Sequence, residues 1–370
     1  MKYFYFFILS ASFIAGACHK NPSSETVKQI IVDGNQKFQV IEGFGVNLNP
    51  DLWMDGKFIP ALDMIIDDLG STQFRFDCFG RANWLEPDKQ QPDGTWSAEY
   101  LREVYTSKTF SNAWEIFRYL NKKGIEPYFN VSGVVPPEWN KPGTNILMNF
   151  EAYSEMVCTM LNWARNNENL EFSMLAPYNE TDFDGSREGP CLPPENRIEA
   201  LKVMVNALDR HNFHDIKLVV FCDATFDIRK IEPLLKDTSF IDRVAVISGH
   251  HYGNGDEGDG EEWYTNKSKL GIVNEAVKNS PYRNANIWLN EYGDLDQTGE
   301  IENEFSWRIT RRVLKALKDG ASSCQFWDAC DNFHKHDTAW STFGLLSTDT
   351  VQKTFSPKRD TLPVKMHTVT

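Results

Sequence analysis

The sequence has no Cys-x-x-Cys pair, no low-complexity tract, no short internal repeat and no excess of positive charge. A net charge of −14 without an offsetting basic patch excludes a phosphate-backbone partner such as nucleic acid. It suits neutral or cationic ligands instead. The chain also lacks a glycine-rich phosphate turn after its first strand: no helix begins at Gly43-Phe44-Gly45. An open, dinucleotide-binding sheet normally carries that turn. Long apolar runs are scarce too. Tyr3 to Ala17 is too short to span a bilayer as a mature helix.

That N-terminal run has another reading. It follows Lys2 and ends in Ala15-Gly16-Ala17-Cys18. Small residues before a cleavage point mark a secretory signal peptide, here 1–17. A cysteine placed directly after them is similar to the bacterial lipoprotein signal, so Cys18 is the expected lipidation site and 18–26 a polar tether. The alternative is a plain signal peptide with an incidental cysteine. The lipoprotein reading implies an exported chain, periplasmic or anchored at the outer membrane or cell surface, touching the membrane only through its lipid. Export would permit disulfides among Cys78, Cys158, Cys191, Cys222, Cys324 and Cys330, but their spacing assigns none. Cys158 and Cys222 sit in apolar helix and strand patterns and read as buried thiols.

What the chain does contain is a regular alternation of strand-like and helix-like segments. A small N-terminal β segment is expected over 27–42, a hairpin of Val27–Val32 and Lys37–Ile41 around Asp33-Gly34. Strands follow at Gly43–Leu48, Gln73–Asp77, Glu126–Ser132, Phe172–Glu180, Lys217–Asp223, Val244–Tyr252, Ala285–Gly293 and Ser323–Ala329. Helical periodicity fills Phe58–Leu69, Ser111–Lys123, Phe150–Asn166, Glu195–His211, Ile228–Lys236, Lys267–Lys278 and Asn303–Lys318. The stretch before Lys108 reads as a long loop. Runs such as Leu218-Val219-Val220-Phe221 suit a parallel sheet buried on both faces. The expected fold class is therefore α/β, a (β/α)8 TIM barrel over 43–345. The runner-up is an open doubly wound sheet. The closing helix is the uncertain element, because 346–370 lacks helical period, contains Pro363 and reads as an irregular tail.

Two carboxylates carry the chemistry. Glu180 closes Leu175-Ala-Pro-Tyr-Asn-Glu180, and Glu291 sits at the end of Ile287-Trp-Leu-Asn-Glu291. Barrel enzymes keep their chemistry at the C-terminal ends of strands, where every βα loop opens on one face. Two acids converging there are the minimum equipment for hydrolysing a glycosidic bond. As an isolated acid, each reads as an ordinary loop carboxylate. Arg75, between Phe74 and Phe76, is a candidate cation for keeping Glu291 ionised, since a buried arginine is rarely unpaired. The structural alternative is an ion pair with Asp77. Of His250 and His251, one is expected in the core and one in the pocket, because adjacent strand residues point to opposite faces. His334, His336 and the acidic stretch 256–262 have no recognised metal-ligand spacing. Neither a metal nor an organic cofactor is expected. Trp84, Trp139, Trp263, Trp340 and Trp327 are candidate sugar platforms, Trp327 foremost.

These segments resemble glycoside hydrolase clan A, the retaining (β/α)8 enzymes, and within it family 30 and its relatives. Phe38-Gln-Val-Ile-Glu-Gly-Phe-Gly45 is similar to that family's entry into the barrel, and Asn179-Glu180 to the clan's Asn-Glu pair after strand four. The resemblance implies Glu180 as acid/base, Asn179 as the partner of the sugar 2-hydroxyl and Glu291 as nucleophile. It also implies Arg75, His251 and Tyr252 as residues that steer the nucleophile, and Trp327 as the strand-eight tryptophan. The implied partner is an oligo- or polysaccharide. The family's β-sandwich side domain, built from both chain ends, lacks its C-terminal part here. A non-catalytic glycan-binding lipoprotein on the same scaffold is the competing function, and a metal-dependent hydrolase is a third.

Overall fold

The computed structural model describes residues 33–78, 82–182, 188–252, 265–293, 302–336, 339–349 and 351–358, with 302–305 and 332–343 as backbone only. Eight parallel strands close into a barrel: β1 (Gly43–Leu48), β2 (Gln73–Asp77), β3 (Tyr128–Asn130), β4 (Met174–Ala176), β5 (Lys217–Asp223), β6 (Val244–His251), β7 (Asn286–Tyr292) and β8 (Ser323–Phe326). β1 completes the ring, with Val46 beside Phe74 of β2 and Phe44 beside Cys324 of β8. Gly45 makes the first junction possible. A Cβ there would lie 1.5 Å from the Gln73 carbonyl oxygen, so no side chain fits.

Strand alternation separates two cores. Tyr128, Ala176, Val219, Cys222, Val246 and Trp288 pack together as one cluster, while Phe129, Leu175, Leu218, Val220, Ile247 and Leu289 join the larger cluster with the helices. Residues one apart on β5 thus fall into different cores, as a period of two requires. Trp288 Nε1 donates to the Glu42 carboxylate at 2.5 Å, and Ser322 Oγ donates to the same oxygen at 2.6 Å. Those bonds tie β7 and the start of β8 to the chain entering β1.

The helices are α1 (Ile59–Asp63, prolonged by a π-helical turn over Met64–Asp68), α2 (Ala98–Tyr105), α3 (Lys108–Lys122), α4 (Phe150–Asn166), α5 (Pro194–Arg210), α6 (Ile228–Lys236), α7 (Lys269–Lys278) and α8 (Glu302–Lys318). α2 lies where the sequence pattern suggests loop. Its signal is Ser97, whose hydroxyl accepts the Tyr100 N–H at 3.2 Å. Such an N-cap contributes about 1 kcal/mol. The helix then buries Tyr105 and half-buries Tyr100, Leu101 and Val104 on one side.

Both chain ends depart from expectation. Residues 27–32, the first arm of the expected N-terminal hairpin, lie outside the described residues, as do the signal segment, the tether and Cys18. Lys37–Ile41, the second arm, forms no strand. The reason is its inward residue: Gln39 spends its amide on the Leu317 and Ala321 carbonyls, at 2.6 and 3.0 Å, and Val40 is left exposed.

Of the tail expected to be irregular, 346–357 form a hairpin, while 359–370 lie outside the described residues. β11 (Leu346–Asp349) pairs antiparallel with β12 (Thr354–Pro357), just after a hairpin of β9 (Asn332–His336) and β10 (Ala339–Phe343). Asp349 makes the turn by accepting the Val351 and Gln352 N–H groups, each at 2.9 Å, and Lys353 takes the left-handed φ of 58° that closes it. Leu345 and Leu346 are buried, and Phe355 meets Phe58 edge-on at 5.6 Å. Among the described residues no helix follows β8.

Candidate active site

At the C-terminal end of the barrel, Arg75 is fully buried and reaches across the ring from β2. Its Nη1 donates to Asn47 Oδ1 at 2.6 Å and to the Glu291 carboxylate, and its Nη2 donates to Asn179 Oδ1 at 2.5 Å. One guanidinium therefore joins β1, the end of β4 and β7. Asn47 is itself oriented by donating to the Asn290 and Phe326 carbonyls. Burial alone would lower the Arg75 pKa, but the field of Glu291 raises it, so the cation is secure. Asp77 is not its hydrogen-bonded partner. Asn130 donates to Asp77 at 3.1 Å, and burial pushes that carboxyl up although Arg75 pulls it down.

Glu291 is only 5 % exposed. Burial would raise its carboxyl, but His250, Arg75 and a hydrogen bond from Tyr252 outweigh that and hold it below the ordinary glutamate range. The Tyr252 hydroxyl donates to Oε2 at 2.7 Å. Burial, then the adjacent Glu291, keeps that phenol well above its ordinary value, so it acts as a donor.

Glu180 lies past the end of β4, on a turn with φ of 42°. The strand itself ends at Ala176. The segment from Pro177 to Glu180 is anchored from outside the barrel. Tyr153 of α4 stacks on Tyr178 at 5.1 Å and donates to the Pro177 carbonyl at 2.6 Å. Tyr178 donates to Ala200 of α5 at 3.2 Å. The Glu180 N–H donates to the Cys222 carbonyl at 2.9 Å. That carbonyl sits in a bulge of β5 where Phe221 and Cys222 both have positive φ. Left-handed backbone at three non-glycine residues around one acid is strain of the kind held at functional sites. Behind it, Thr181 donates to Asp223 at 3.2 Å, and Asp223 forms a buried pair with Arg197 at 2.5 Å. Burial nevertheless pushes Asp223 up to about 6.

His250 stands between the two acids. Its Nδ1 is 2.8 Å from Glu180 Oε1 and 3.3 Å from Glu291 Oε2. Glu180, His250 and Glu291 each bring one donor atom into a group spanning no more than 4.8 Å, the one such trio among the described residues. These three are the atoms a metal ion would use. Arg75 donates to one Glu291 oxygen and Tyr252 to the other, so both oxygens already carry a protein donor.

Of the expected site residues, Glu180, Glu291, Asn179, Arg75 and Tyr252 are brought together. His251 is not with them. It borders, as His250 also does, a small cavity with Phe226, Leu270 and Arg312, whereas His250 Nδ1 takes the place between the acids. The period of two carries the correction: His250 and Tyr252, two apart, share a face, whereas His251 looks the other way. Trp327 follows the last residue of β8 and is half-buried, its N–H donating to Tyr292 O at 2.9 Å. Its carbonyl lies 2.9 Å from where a Cβ on Gly293 would stand, beside the Tyr252 ring. Trp139 is buried, and Trp84 lines a cavity of about 430 Å³ with Phe110 and Trp114, at the flank of β2. Trp263 and the side chain of Trp340 lie outside the described residues. Asn47 is not singled out by the sequence, since nothing in a single asparagine marks it beforehand.

No protein-family model and no curated protein matches this sequence. Solved structures do share its fold. The glycoside hydrolase family 30 subfamily 8 xylanase Xyn30A from Clostridium acetobutylicum is 14 % identical, with a TM-score of 0.62 over 90 % of this chain and 73 % of that one. The endo-β1,6-glucanase BT3312 is 13 % identical, with a TM-score of 0.66 over 90 % of this chain and 77 % of that one. A family 39 glycoside hydrolase from Bacteroides cellulosilyticus is 16 % identical, with a TM-score of 0.54 over 88 % of this chain and 64 % of that one. The chain thus has the barrel fold of these glycoside hydrolases.

Proposed function

We propose that this chain is a retaining glycoside hydrolase of clan A, akin to family 30, that cleaves β-glycosidic bonds in an oligo- or polysaccharide. One observation carries the reading: oxygens of Glu180 and Glu291 lie within 4.8 Å of each other. Retaining enzymes place their carboxyls about 5–5.5 Å apart, and inverting enzymes leave room for a water at about 6.5–9.5 Å. The glycan-acting enzymes on the same barrel support a saccharide substrate.

The roles follow from the two environments. Glu291, held ionised by Arg75, His250 and Tyr252, attacks the anomeric carbon as its bond to the leaving oxygen breaks. Glu180, with its side chain open to the cleft, gives a proton to that oxygen. The product is a glycosyl ester on Glu291. A water then loses its proton to Glu180 and attacks the same carbon, freeing Glu291 and restoring the original anomeric configuration. Asn179, fixed by Arg75, presents its amide for the sugar 2-hydroxyl.

Product formed from an aryl β-glycoside should first appear as the β-anomer by proton NMR. First appearance of the α-anomer would overturn the mechanism. An activated 2-fluoro glycoside should leave a covalent adduct on Glu291. Glycan binding with neither adduct nor turnover across a broad panel of β-linked substrates would favour the non-catalytic alternative, which the intact acid pair and its supporting cation argue against. A metal-dependent hydrolase would instead lose activity to a chelator.

The signal-like N-terminus supports export and lipid anchoring at Cys18. Cells expressing the full chain should incorporate labelled palmitate into it, and Cys18→Ser should abolish the label. Equal labelling of both chains would sink the anchor.

A further inference from the structure

The turn that carries Glu180 is held by a neighbouring strand rather than by its own. β4 ends at Ala176, before the acid, and Glu180 takes a left-handed φ of 42°. Consecutive residues of the turn are instead bonded to consecutive residues at the end of β5. The Glu180 N–H donates to the Cys222 carbonyl at 2.9 Å, Thr181 Oγ1 donates to Asp223 Oδ1 at 3.2 Å, and the Ala224 N–H donates to Asp182 Oδ1 at 3.1 Å. The middle bond joins two buried side chains: Thr181 is 4 % and Asp223 2 % exposed.

Arg197 of α5 closes that bond into a ring. Its Nη1 donates to Asp223 Oδ2 at 2.5 Å and its Nε to the Leu192 carbonyl at 3.0 Å. The Leu192 N–H then donates to the Thr181 carbonyl at 3.0 Å. The ring therefore grips Thr181 by its side chain and its backbone at once. The Arg197 guanidinium also lies 5.9 Å from the centre of the Phe221 ring, on the β5 bulge. Left-handed backbone at a non-glycine residue persists only where its surroundings hold it.

We propose that Asp223 is a positioning residue for the acid/base. Braced by Arg197, its carboxylate takes the Thr181 hydroxyl and fixes the turn that aims Glu180 at the leaving oxygen. It acts on protonation of the leaving group and not on the nucleophile. This deepens the glycosidase reading and rests on it.

The test uses two aryl β-glycosides of a sugar the wild type accepts. Dinitrophenolate leaves without a proton, whereas phenolate needs one, and kcat/KM reports the transition state for ester formation. Thr181→Val removes the hydroxyl and leaves the Asp223–Arg197 pair in place. It should lower kcat/KM roughly tenfold for the phenyl glycoside and less than about twofold for the dinitrophenyl glycoside, as partial loss of general acid catalysis requires. Thr181→Ser, which keeps the hydroxyl, should restore the phenyl glycoside. Asp223→Asn should show the same selective loss, and adding Thr181→Val to it should cost little more, because the two residues act as one unit. It also strips the buried Arg197 of its anion, so Thr181→Val decides the matter where Asp223→Asn does not fold. Equal losses on both substrates, or no loss on either, would overturn the assignment. Fluoro-glycoside labelling separates the two claims. An adduct on Glu291 with equal losses removes only the role of Asp223, whereas no adduct and no turnover from any sugar in the panel removes the glycosidase reading and this inference with it.

Discussion

Glu291→Ala should lower kcat for an aryl β-glycoside by roughly 10³-fold or more, and azide should restore turnover with inverted stereochemistry. Without the carboxylate there is no nucleophile within reach of the anomeric carbon. Azide enters the space left behind, attacks from the face Glu291 occupied, and yields the α-glycosyl azide. Glu180→Ala should respond differently. An activated aryl leaving group departs without a proton donor, so the glycosyl ester still forms and then accumulates because no base activates water. Azide needs no base. It attacks the ester from the opposite face and gives the β-glycosyl azide. The pair of azides with opposite configuration distinguishes the two roles, since both acids lie in one cluster and loss of either would simply appear as loss of activity. The same azide from both variants, or rescue of neither while both remain folded, would refute the assignment.

How far the sequence foretells this site depends on which interactions set each part. The barrel is legible because its signals are local and repeated: an apolar run on each strand, a periodic helix after all but the last, and a glycine or cap at several boundaries. Glu180 and Glu291 are legible for the same reason, as acids at the ends of such runs. Counting by two along β6 from the interior-facing Val246 through Ser248 leads to His250, as it does from Tyr252, so the expectation at His251 comes from the family resemblance and not from the strand pattern. The illegible parts depend on side-chain reach. Asn47 matters only because Arg75 spans from β2 to β7, a contact between residues far apart in the chain. The tail misleads for a different reason. Its lack of helical period does not reveal that Thr348, Thr354 and Phe355 suit a short hairpin, or that Asp349 closes the turn by a side-chain bond that hydropathy does not register.

Arg75→Met should be the most damaging single change to the fold around the site. It removes the cation from a fully buried pair and leaves Glu291, with Asn47 and Asn179 each losing a donor. Breaking a buried pair on one side costs about 3–5 kcal/mol, because the remaining charge is left in low dielectric. The pH dependence identifies the cause. In the wild type the Glu291 carboxyl lies below its ordinary value. Its stabilising contribution is therefore present above the unfolded pKa, about 4.3, and is lost as pH falls through the lower folded value. In Arg75→Met, burial outweighs the remaining His250 and Tyr252, so the folded pKa moves up and stability is lost as pH rises through it. The gap between the two proteins should thus be wide in denaturant melts near neutrality and nearly closed near about pH 4, where Glu291 can protonate in the variant. The acidic limb of kcat/KM should move upward with the same pKa, since turnover needs Glu291 ionised. A destabilisation that stays constant across that pH range would mean that Arg75 acts through packing and its asparagine bonds, and the charge pair would no longer explain why an arginine is buried beneath the two acids.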